Sequence, residues 1–199
     1  MDIVERYLGE MELAIRALSR NDVRRAVDAL FAAWSAGRRV WILGNGRSAA
    51  NASHIMADLC RCTQIPGAPR LRAMALSDNV PMMTAVANDT EYAEIFVEAL
   101  RTHLDRGDVV LALSGSGNSP NVLRAVAYAK ENGAAAIAFC GMPGGRLAKL
   151  ADVRVIVPAP RIGQQEDGHL ILGHVVSLAL RERIEAVAGE TASVSAVAG

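Results

Sequence analysis

The sequence has little of what marks several large classes of protein. Only 3 of its 199 residues are cysteine, and Cys60 and Cys62 lack the paired spacing of a zinc finger. We therefore expect no disulfide framework and a reduced, cytoplasmic setting. Basic and acidic residues both number 21, so there is no excess of positive charge for nucleic acid or an anionic membrane surface.

Long hydrophobic runs are also missing. The run from Ala134 to Cys140 is far shorter than the roughly 20 residues that span a bilayer, so we expect no membrane segment. The N-terminus carries an acidic residue at Asp2 and no continuous apolar core, which argues against a signal peptide. A Gly-Lys-Ser/Thr motif is absent, which excludes a Walker nucleotide site. The chain is nevertheless 51% hydrophobic, enough for the core of one globular domain.

Helical periodicity dominates the first 37 residues. Apolar residues recur at steps of four and three from Val4 to Leu18, and again from Val23 to Trp34. We predict Asn21 as the N-cap of the second helix. Residues 1–37 are therefore predicted as a helical extension of a single domain, 1–199. The small and polar residues 190–199 are predicted as a disordered tail.

Beyond the N-terminal helices, short apolar runs alternate with helical segments. Strands are predicted at 40–43, 74–76, 109–113, 135–139 and 153–157. Helices are predicted from about 48, over 91–104 and 121–131, near 146, and over 164–188. This alternation is typical of a parallel sheet. The predicted fold class is α/β: a three-layer, doubly wound, parallel five-stranded sheet with two N-terminal helices.

Two loops rich in glycine or serine follow the first and third predicted strands, where open parallel sheets bind ligands. In residues 114–120, glycines allow close backbone approach, and hydroxyls beside a helix N-terminus favour an anion. Pro120 fits the first helical position, which makes Ser119 the N-cap. Gly44, Asn45 and Gly46 do not complete a dinucleotide fingerprint. A small phosphorylated ligand therefore fits better than a nucleotide, although a plain capping turn uses the same residues.

Ionisable residues lie at helical spacing in two further segments. His54 and Asp58 are four residues apart and share a helix face. Glu166 and His174 are eight residues apart, about 80° around a helix. Residues of these types form four-ligand metal sites or acid–base pairs, and lone helical histidines are often structural. The residues by themselves leave these alternatives open.

Together, these segments resemble the sugar isomerase (SIS) domain family, and within it the bacterial phosphoheptose isomerases (sedoheptulose-7-phosphate isomerases). The resemblance covers nearly the whole chain, to about Ile184. The segments that carry it are Gly44–Ser48, His54 with Asp58, Ser77–Asp78, Asn88–Asp89, Ser114–Ser119, and Glu166 with His174.

The resemblance implies an enzyme of carbohydrate metabolism. It would be an aldose–ketose isomerase that converts sedoheptulose 7-phosphate into D-glycero-D-manno-heptose 7-phosphate through an enediol. Asp58 and His174 would be the acid–base pair, and a homotetramer would place the active sites at subunit contacts. A zinc ion (Zn²⁺) would be held by His54, Asp58, Glu166 and His174. The implied substrate-binding residues are Asn45, Gly46, Arg47, Ser48, Asp58, Asn88, Asp89, Ser114, Gly115, Ser116, Ser119 and Glu166.

Three residues depart from the family's pattern: Asp58 stands where glutamate is usual, Glu166 where glutamine is usual, and Arg47 where glycine is usual. Two alternatives accompany the heptose isomerase. One is a non-catalytic SIS-fold regulator that binds a phosphosugar or a replication initiator, and the other is an isomerase of another sugar phosphate. An acid at position 58 together with His174 favours an enzyme.

Overall fold

The computed structural model describes residues 2–197, with side chains through residue 189. Its centre is a five-stranded sheet in which every neighbouring pair is parallel. The strands lie in the order β2-β1-β3-β4-β5. Their bounds are β1 Arg39–Leu43, β2 Arg72–Ala75, β3 Val109–Ser114, β4 Ala135–Gly141 and β5 Val153–Val157.

Eight α-helices connect or flank the strands in the described range, together with 3₁₀ turns at Leu76–Asp78 and Tyr92–Glu94. The helices are α1 Ile3–Ala17, α2 Arg20–Ser35, α3 Arg47–Cys62, α4 Val80–Asp89, α5 Ile95–His103, α6 Pro120–Glu131, α7 Leu147–Leu150 and α8 Ile162–Val197.

The helices form one layer on each face of the sheet. Apolar residues of α2, α3 and α8 fill the core on one face, and those of α5, α6 and α7 fill the core on the other. The central strand β3 is buried along its whole length, which is why it is uniformly apolar apart from its last residue. The predicted three-layer, doubly wound, parallel five-stranded fold is confirmed.

Some predicted local features differ. The N-cap of α2 is Ser19, whose side chain accepts a hydrogen bond from the Asp22 backbone N–H, and Asn21 lies inside the helix. Helix α4 was not predicted, and Asn88 and Asp89 are its last two residues. Helix α8 continues past its predicted end at residue 188, so the backbone of residues 190–197 in the predicted tail belongs to it. Residues 198–199, and the side chains of residues 190–199, lie outside the described part of the chain. No helix in the described range is both long and apolar enough to cross a membrane.

The strand order positions the site. From β1 the chain passes through α3 to β2, which lies on one side of β1. It then returns through α4 and α5 to β3, which lies on the other side of β1. The loops after β1 and β3 therefore diverge onto opposite faces, which opens a crevice between them at the carboxyl edge. These are the two glycine- and serine-rich loops identified in the sequence.

Candidate active site

A cavity of about 410 Å³ lies between the two loops, within the size range of small-molecule sites. The β1 loop contributes Asn45 and Gly46, and helix α3 contributes Arg47 and Ser48. The β3 loop forms the opposite wall, and α8 closes one side. The residues from these last two elements are Leu113, Ser114, Gly115, Ser116, Ser119, Ile162 and Glu166.

The serine-rich loop keeps hydroxyl groups available to a ligand. The hydroxyl oxygen of Ser114 accepts from the Gly117 N–H at 3.1 Å, and that of Ser116 accepts from the Asn118 N–H at 3.2 Å. Both hydroxyl protons remain free to be donated. Ser119 occupies the N-cap of α6, as predicted, but its side chain makes no capping hydrogen bond. The loop therefore offers hydroxyl donors to an anion.

Gly117 fixes the shape of this loop. Its φ is +63°, in the left-handed region that favours glycine. A Cβ at this position would lie 2.1 Å from the Gly144 carbonyl oxygen. Any side chain there would push the loop off the β4 side of the sheet and reshape the cavity wall.

An asparagine pair joins the two loops. The side-chain amides of Asn45 and Asn121 exchange two hydrogen bonds of 2.8 Å, and the Tyr92 hydroxyl donates to Asn45 Oδ1 at 3.0 Å. Asn121 is 1% exposed, and its Oδ1 also accepts from the Val122 N–H. This network holds the β1 loop against the start of α6, so Asn121 and Tyr92 position the cavity without lining it.

Arg47 and Glu166 form an ion pair across the cavity wall. Arg47 Nε lies 2.5 Å from Glu166 Oε2. The Glu166 main-chain oxygen also accepts from Asn51 Nδ2 at 2.9 Å, which ties the first turns of α8 to α3. These contacts bring the starts of the two helices together beside the cavity.

Further along α3 and α8, three ionisable side chains converge. His54 Nε2 and His174 Nε2 are 3.0 Å apart, and Asp58 Oδ2 is 3.3 Å from each of them. The two imidazoles are about half exposed. Within the described residues, Asp58 Oδ2 is buried and has no partner in hydrogen-bond geometry. The cluster lies roughly 10–12 Å along the helices from the cavity, at 1.5 Å per residue.

Gly173 makes this convergence sterically feasible. A Cβ at position 173 would lie 2.4 Å from Cγ1 of Ile55 on α3. Without a side chain there, the two helices approach closely enough for His174 to reach His54. The neighbouring residue Ile55 is fully buried in the same interface.

The cluster fits a zinc ion. Two imidazole nitrogens and a carboxylate are usual zinc ligands, and tetrahedral bonds of about 2.1 Å place ligand atoms about 3.4 Å apart. The observed separations of 3.0 and 3.3 Å are close to that value. Asp58 Oδ2 lies 3.3 Å from both imidazole nitrogens without hydrogen-bond geometry, so it can accept a cation placed between them. Glu166 does not belong to this cluster within one chain, since its carboxylate contacts Arg47.

Most of the predicted substrate-binding residues lie around one cavity: Asn45, Gly46, Arg47, Ser48, Ser114, Gly115, Ser116, Ser119 and Glu166. Asp58 lies in the histidine cluster, and Asn88 and Asp89 lie at the end of α4, outside the cavity lining. The assigned roles stay predictions. Sequence reasoning missed the positioning residues Asn121 and Tyr92, because their contacts link segments that are far apart along the chain.

The strand order reverses between β1 and β3, and a cavity lies between the loops that follow these two strands. This arrangement defines the class of doubly wound α/β proteins whose site lies outside the carboxyl ends of the strands. The SIS domain pattern matches residues 6–141. The chain therefore belongs to the SIS domain family, as the sequence motifs predicted.

Two relatives and one solved structure that the chain resembles are all phosphoheptose isomerases. The chain is 41% identical over 157 residues to phosphoheptose isomerase of Mycobacterium tuberculosis, covering 78% of this chain and 80% of the relative. It is 37% identical over 172 residues to phosphoheptose isomerase of Paramagnetospirillum magneticum, covering 86% and 87%. The solved structure of phosphoheptose isomerase GmhA from Neisseria gonorrhoeae superposes with a TM-score of 0.80 at 28% identity, covering 91% of this chain and 100% of that one.

Proposed function

We propose that this chain is an aldose–ketose isomerase that interconverts sedoheptulose 7-phosphate and D-glycero-D-manno-heptose 7-phosphate. The observation that carries the proposal is the pairing of an anion-accepting serine loop with an Asp/His cluster on adjoining helices. The relatives named above are phosphoheptose isomerases, which supports the same substrate class.

The phosphate of the substrate would bind in the serine-rich loop. The hydroxyls of Ser114, Ser116 and Ser119 are available as donors there, and hydrogen bonds to a charged oxygen are stronger than neutral ones. The start of α6 faces the same cavity and favours negative charge. The sugar chain would then extend along α3 and α8 toward the histidine cluster.

The cluster would perform the proton transfers. An aldose–ketose conversion removes a proton from the carbon next to the carbonyl, forms an enediol, and returns a proton to the neighbouring carbon. Asp58 and His174 are a carboxylate and an imidazole only 3.3 Å apart, so both would reach two adjacent carbons of one bound sugar, one group as base and the other as acid. Half exposure of His174 leaves room for a substrate carbon beside its ring.

His54, Asp58 and His174 would hold a zinc ion in this site. When bound, zinc would supply positive charge for an oxygen of the reacting carbons. The acid–base role and the metal role use the same atoms, Nε2 of His174 and Oδ2 of Asp58. Added zinc and chelator therefore distinguish a zinc enzyme, which EDTA inactivates, from a metal-free one, which zinc inhibits.

The test is turnover of sedoheptulose 7-phosphate in ²H₂O, with zinc or EDTA, followed by NMR. Transfer through an enediol in contact with solvent predicts an aldose that carries deuterium next to its carbonyl carbon. Wild-type protein should form it and the His174→Ala variant should not. Turnover of a pentose or hexose phosphate alone would favour another sugar, and tight binding without turnover would favour a regulator.

The assembly we propose is a homotetramer in the cytoplasm. Helix α1 leaves five large apolar side chains exposed and α8 leaves four: Ile3, Val4, Leu8, Leu13, Ile15, Ile162, Val175, Leu178 and Val187. Exposed apolar surface of this extent supports contact with further copies of the chain. Helix α4 supports the same assembly, because it is largely apolar and none of its residues is buried within one chain. Light scattering at micromolar concentration tests this, and a monomeric mass would contradict it.

A further inference from the structure

The cavity carries one positive and one negative side chain. Arg47 and Glu166 are the charged residues among its described lining, and they are paired with each other. The remaining polar groups there are hydroxyls, an amide and main-chain N–H groups. A phosphate group bound in this cavity would bring up to two negative charges, and Arg47 is the single lining side chain able to balance them.

The geometry of the pair leaves Arg47 with unused donors. The contact to Glu166 is made by Nε, and the two terminal amino groups of the guanidinium have no partner among the described side chains, which end at residue 189. The Arg47 side chain is 70% exposed, whereas that of Glu166 is 13% exposed. Glu166 is also anchored through its main chain to Asn51. The Glu166 carboxylate is therefore the fixed partner, and it holds the Arg47 guanidinium with its two terminal amino groups exposed.

The position of Arg47 requires this support. Arg47 is the first residue of α3, where the helix dipole disfavours a cation, and the N-cap before it is Gly46, which has no side chain to cap the helix. A cation at this place is stabilised by the carboxylate of Glu166 and by any anion that enters the cavity.

We propose that Arg47 is a specificity-determining residue that binds the substrate phosphate through its terminal amino groups, and that Glu166 is the positioning residue that holds it there. This inference rests on the proposed function, because it presumes that a phosphosugar enters this cavity. It assigns Glu166 to Arg47 in place of the metal. It also makes the site selective for a charged phosphate over a neutral sugar.

The two residues have a coupled effect that separates this role from a merely structural ion pair. If Arg47 is removed, the phosphate loses its cation and also meets an uncompensated Glu166 carboxylate. Neutralising Glu166 in that background should therefore improve phosphate binding. An ion pair that only tied α3 to α8 would give no such recovery.

The experiment measures binding of inorganic phosphate and of sedoheptulose 7-phosphate by calorimetry. Arg47→Met should weaken both at least tenfold, and Arg47→Met/Glu166→Gln should recover at least threefold of that loss. Arg47→Lys, which keeps the charge, should stay within about fivefold of wild type. The matched control is Arg24→Met, the same charge change at an exposed residue of α2, and it should bind as wild type does. Salt should weaken wild type more than Arg47→Met.

Each result has a distinct meaning. Wild-type affinity in folded Arg47→Met would overturn the role of Arg47 and leave the proposed isomerase intact. A weak Arg47→Met without recovery in the double variant would overturn the role of Glu166. If wild type binds neither phosphate nor the sugar phosphate, the proposed function fails, and this inference fails with it.

Discussion

Two aspartates of the molecule, Asp108 at the amino end of the sheet and Asp58 on helix α3, use their carboxylate oxygens in opposite ways. At the amino end, Asp108 is 1% exposed and accepts three hydrogen bonds, from the Arg39 N–H at 2.9 Å, Trp41 Nε1 at 2.8 Å and the Asp105 N–H at 3.0 Å. On helix α3, in the layer that packs on the sheet, Asp58 Oδ2 has no hydrogen-bond partner among the described residues. One aspartate is saturated and stabilises the fold, whereas the other retains capacity for a ligand.

This contrast indicates which polar residues stabilise the fold and which are available for function. Buried polar groups that are fully paired add stability, while unpaired ones cost free energy unless a ligand satisfies them. Substitutions at the amino end should therefore lower stability and leave the chemistry intact. Substitutions in the cavity and the cluster should do the reverse.

The largest effect is expected from His174→Ala. Loss of one member of the acid–base pair should lower kcat by about 10³-fold, within the range of general acid–base catalysis. The urea midpoint should hardly move, because the ring is half exposed. His103→Gln is the control: His103 stacks on Trp41 at the amino end, 5.7 Å between ring centroids, and its replacement should keep the rate. Equal rate losses in both variants would erase the contrast.

The next largest effect is on stability, from Asp108→Ala. Removing this carboxylate leaves three donors without their acceptor, so we expect a loss of about 3 kcal/mol in the free energy of unfolding. The matched variant Asp105→Ala removes an exposed carboxylate that pairs with Arg39 at 3.2 Å, and it should cost less than about 1 kcal/mol. Urea titration followed by tryptophan fluorescence measures both. Similar losses in the two variants would contradict the role given to Asp108.

His169 sharpens the comparison, because it lies on the same helix as His174 and is fully buried. Burial lowers its pKa from 6.5 to about 4, and the nearby main chain of Cys140 opposes this only partly. Since the folded-state pKa is below the unfolded one, the stability due to the neutral ring is present above pH 6.5 and is lost as pH falls toward 4.

The corresponding variant is His169→Leu. Between pH 7 and pH 4.5, wild type should lose about 2 kcal/mol more stability than this variant, which has no ring to protonate. Urea titrations at the two pH values measure the difference. Parallel losses would mean that His169 does not report the pH dependence.

The smallest effects are expected in the phosphate loop. Ser116→Ala and Ser119→Ala each remove a hydroxyl available to a charged oxygen, and each should weaken sugar phosphate binding about tenfold. The fold should survive, since neither hydroxyl donates to another residue in the described part of the chain. Ser35→Ala, at the exposed end of α2, is the control and should bind normally. Unchanged affinity in both loop variants would place the phosphate elsewhere.

Much of the fold was predictable because buried strands and helix ends produce recognisable patterns in short stretches of sequence. The strands β1, β3 and β5 appear as short apolar runs, and Gly37 and Pro120 lie where the helices α2 and α6 end and begin. Helix α4 was missed because none of its residues is fully buried in one chain, so it carries no apolar stripe on a polar background. The α2 N-cap was misplaced because Ser19 and Asn21 are both good capping residues.

The site was predictable in its parts and not in its pairings. Spacing along a helix predicted that His54 and Asp58 share a face, and the loops were recognisable from their glycines and serines. The contacts of Arg47 with Glu166 and of Asn45 with Asn121 join residues 119 and 76 positions apart. Such pairs depend on how α3, α6 and α8 pack against the sheet, which short-range patterns do not record.

Helix α8 serves as a spacer of fixed length. It carries Glu166 at the cavity and His174 in the cluster on one continuous hydrogen-bonded rod, with eight residues and about 12 Å of rise between them. Side-chain replacements leave that interval unchanged. A one-residue insertion between them would lengthen it by only about 1.5 Å but would turn His174 about 100° away from His54. The distance between the cavity and the histidine cluster is therefore set by the number of α8 residues between Glu166 and His174. Substitutions at either place can change the chemistry there without changing that distance.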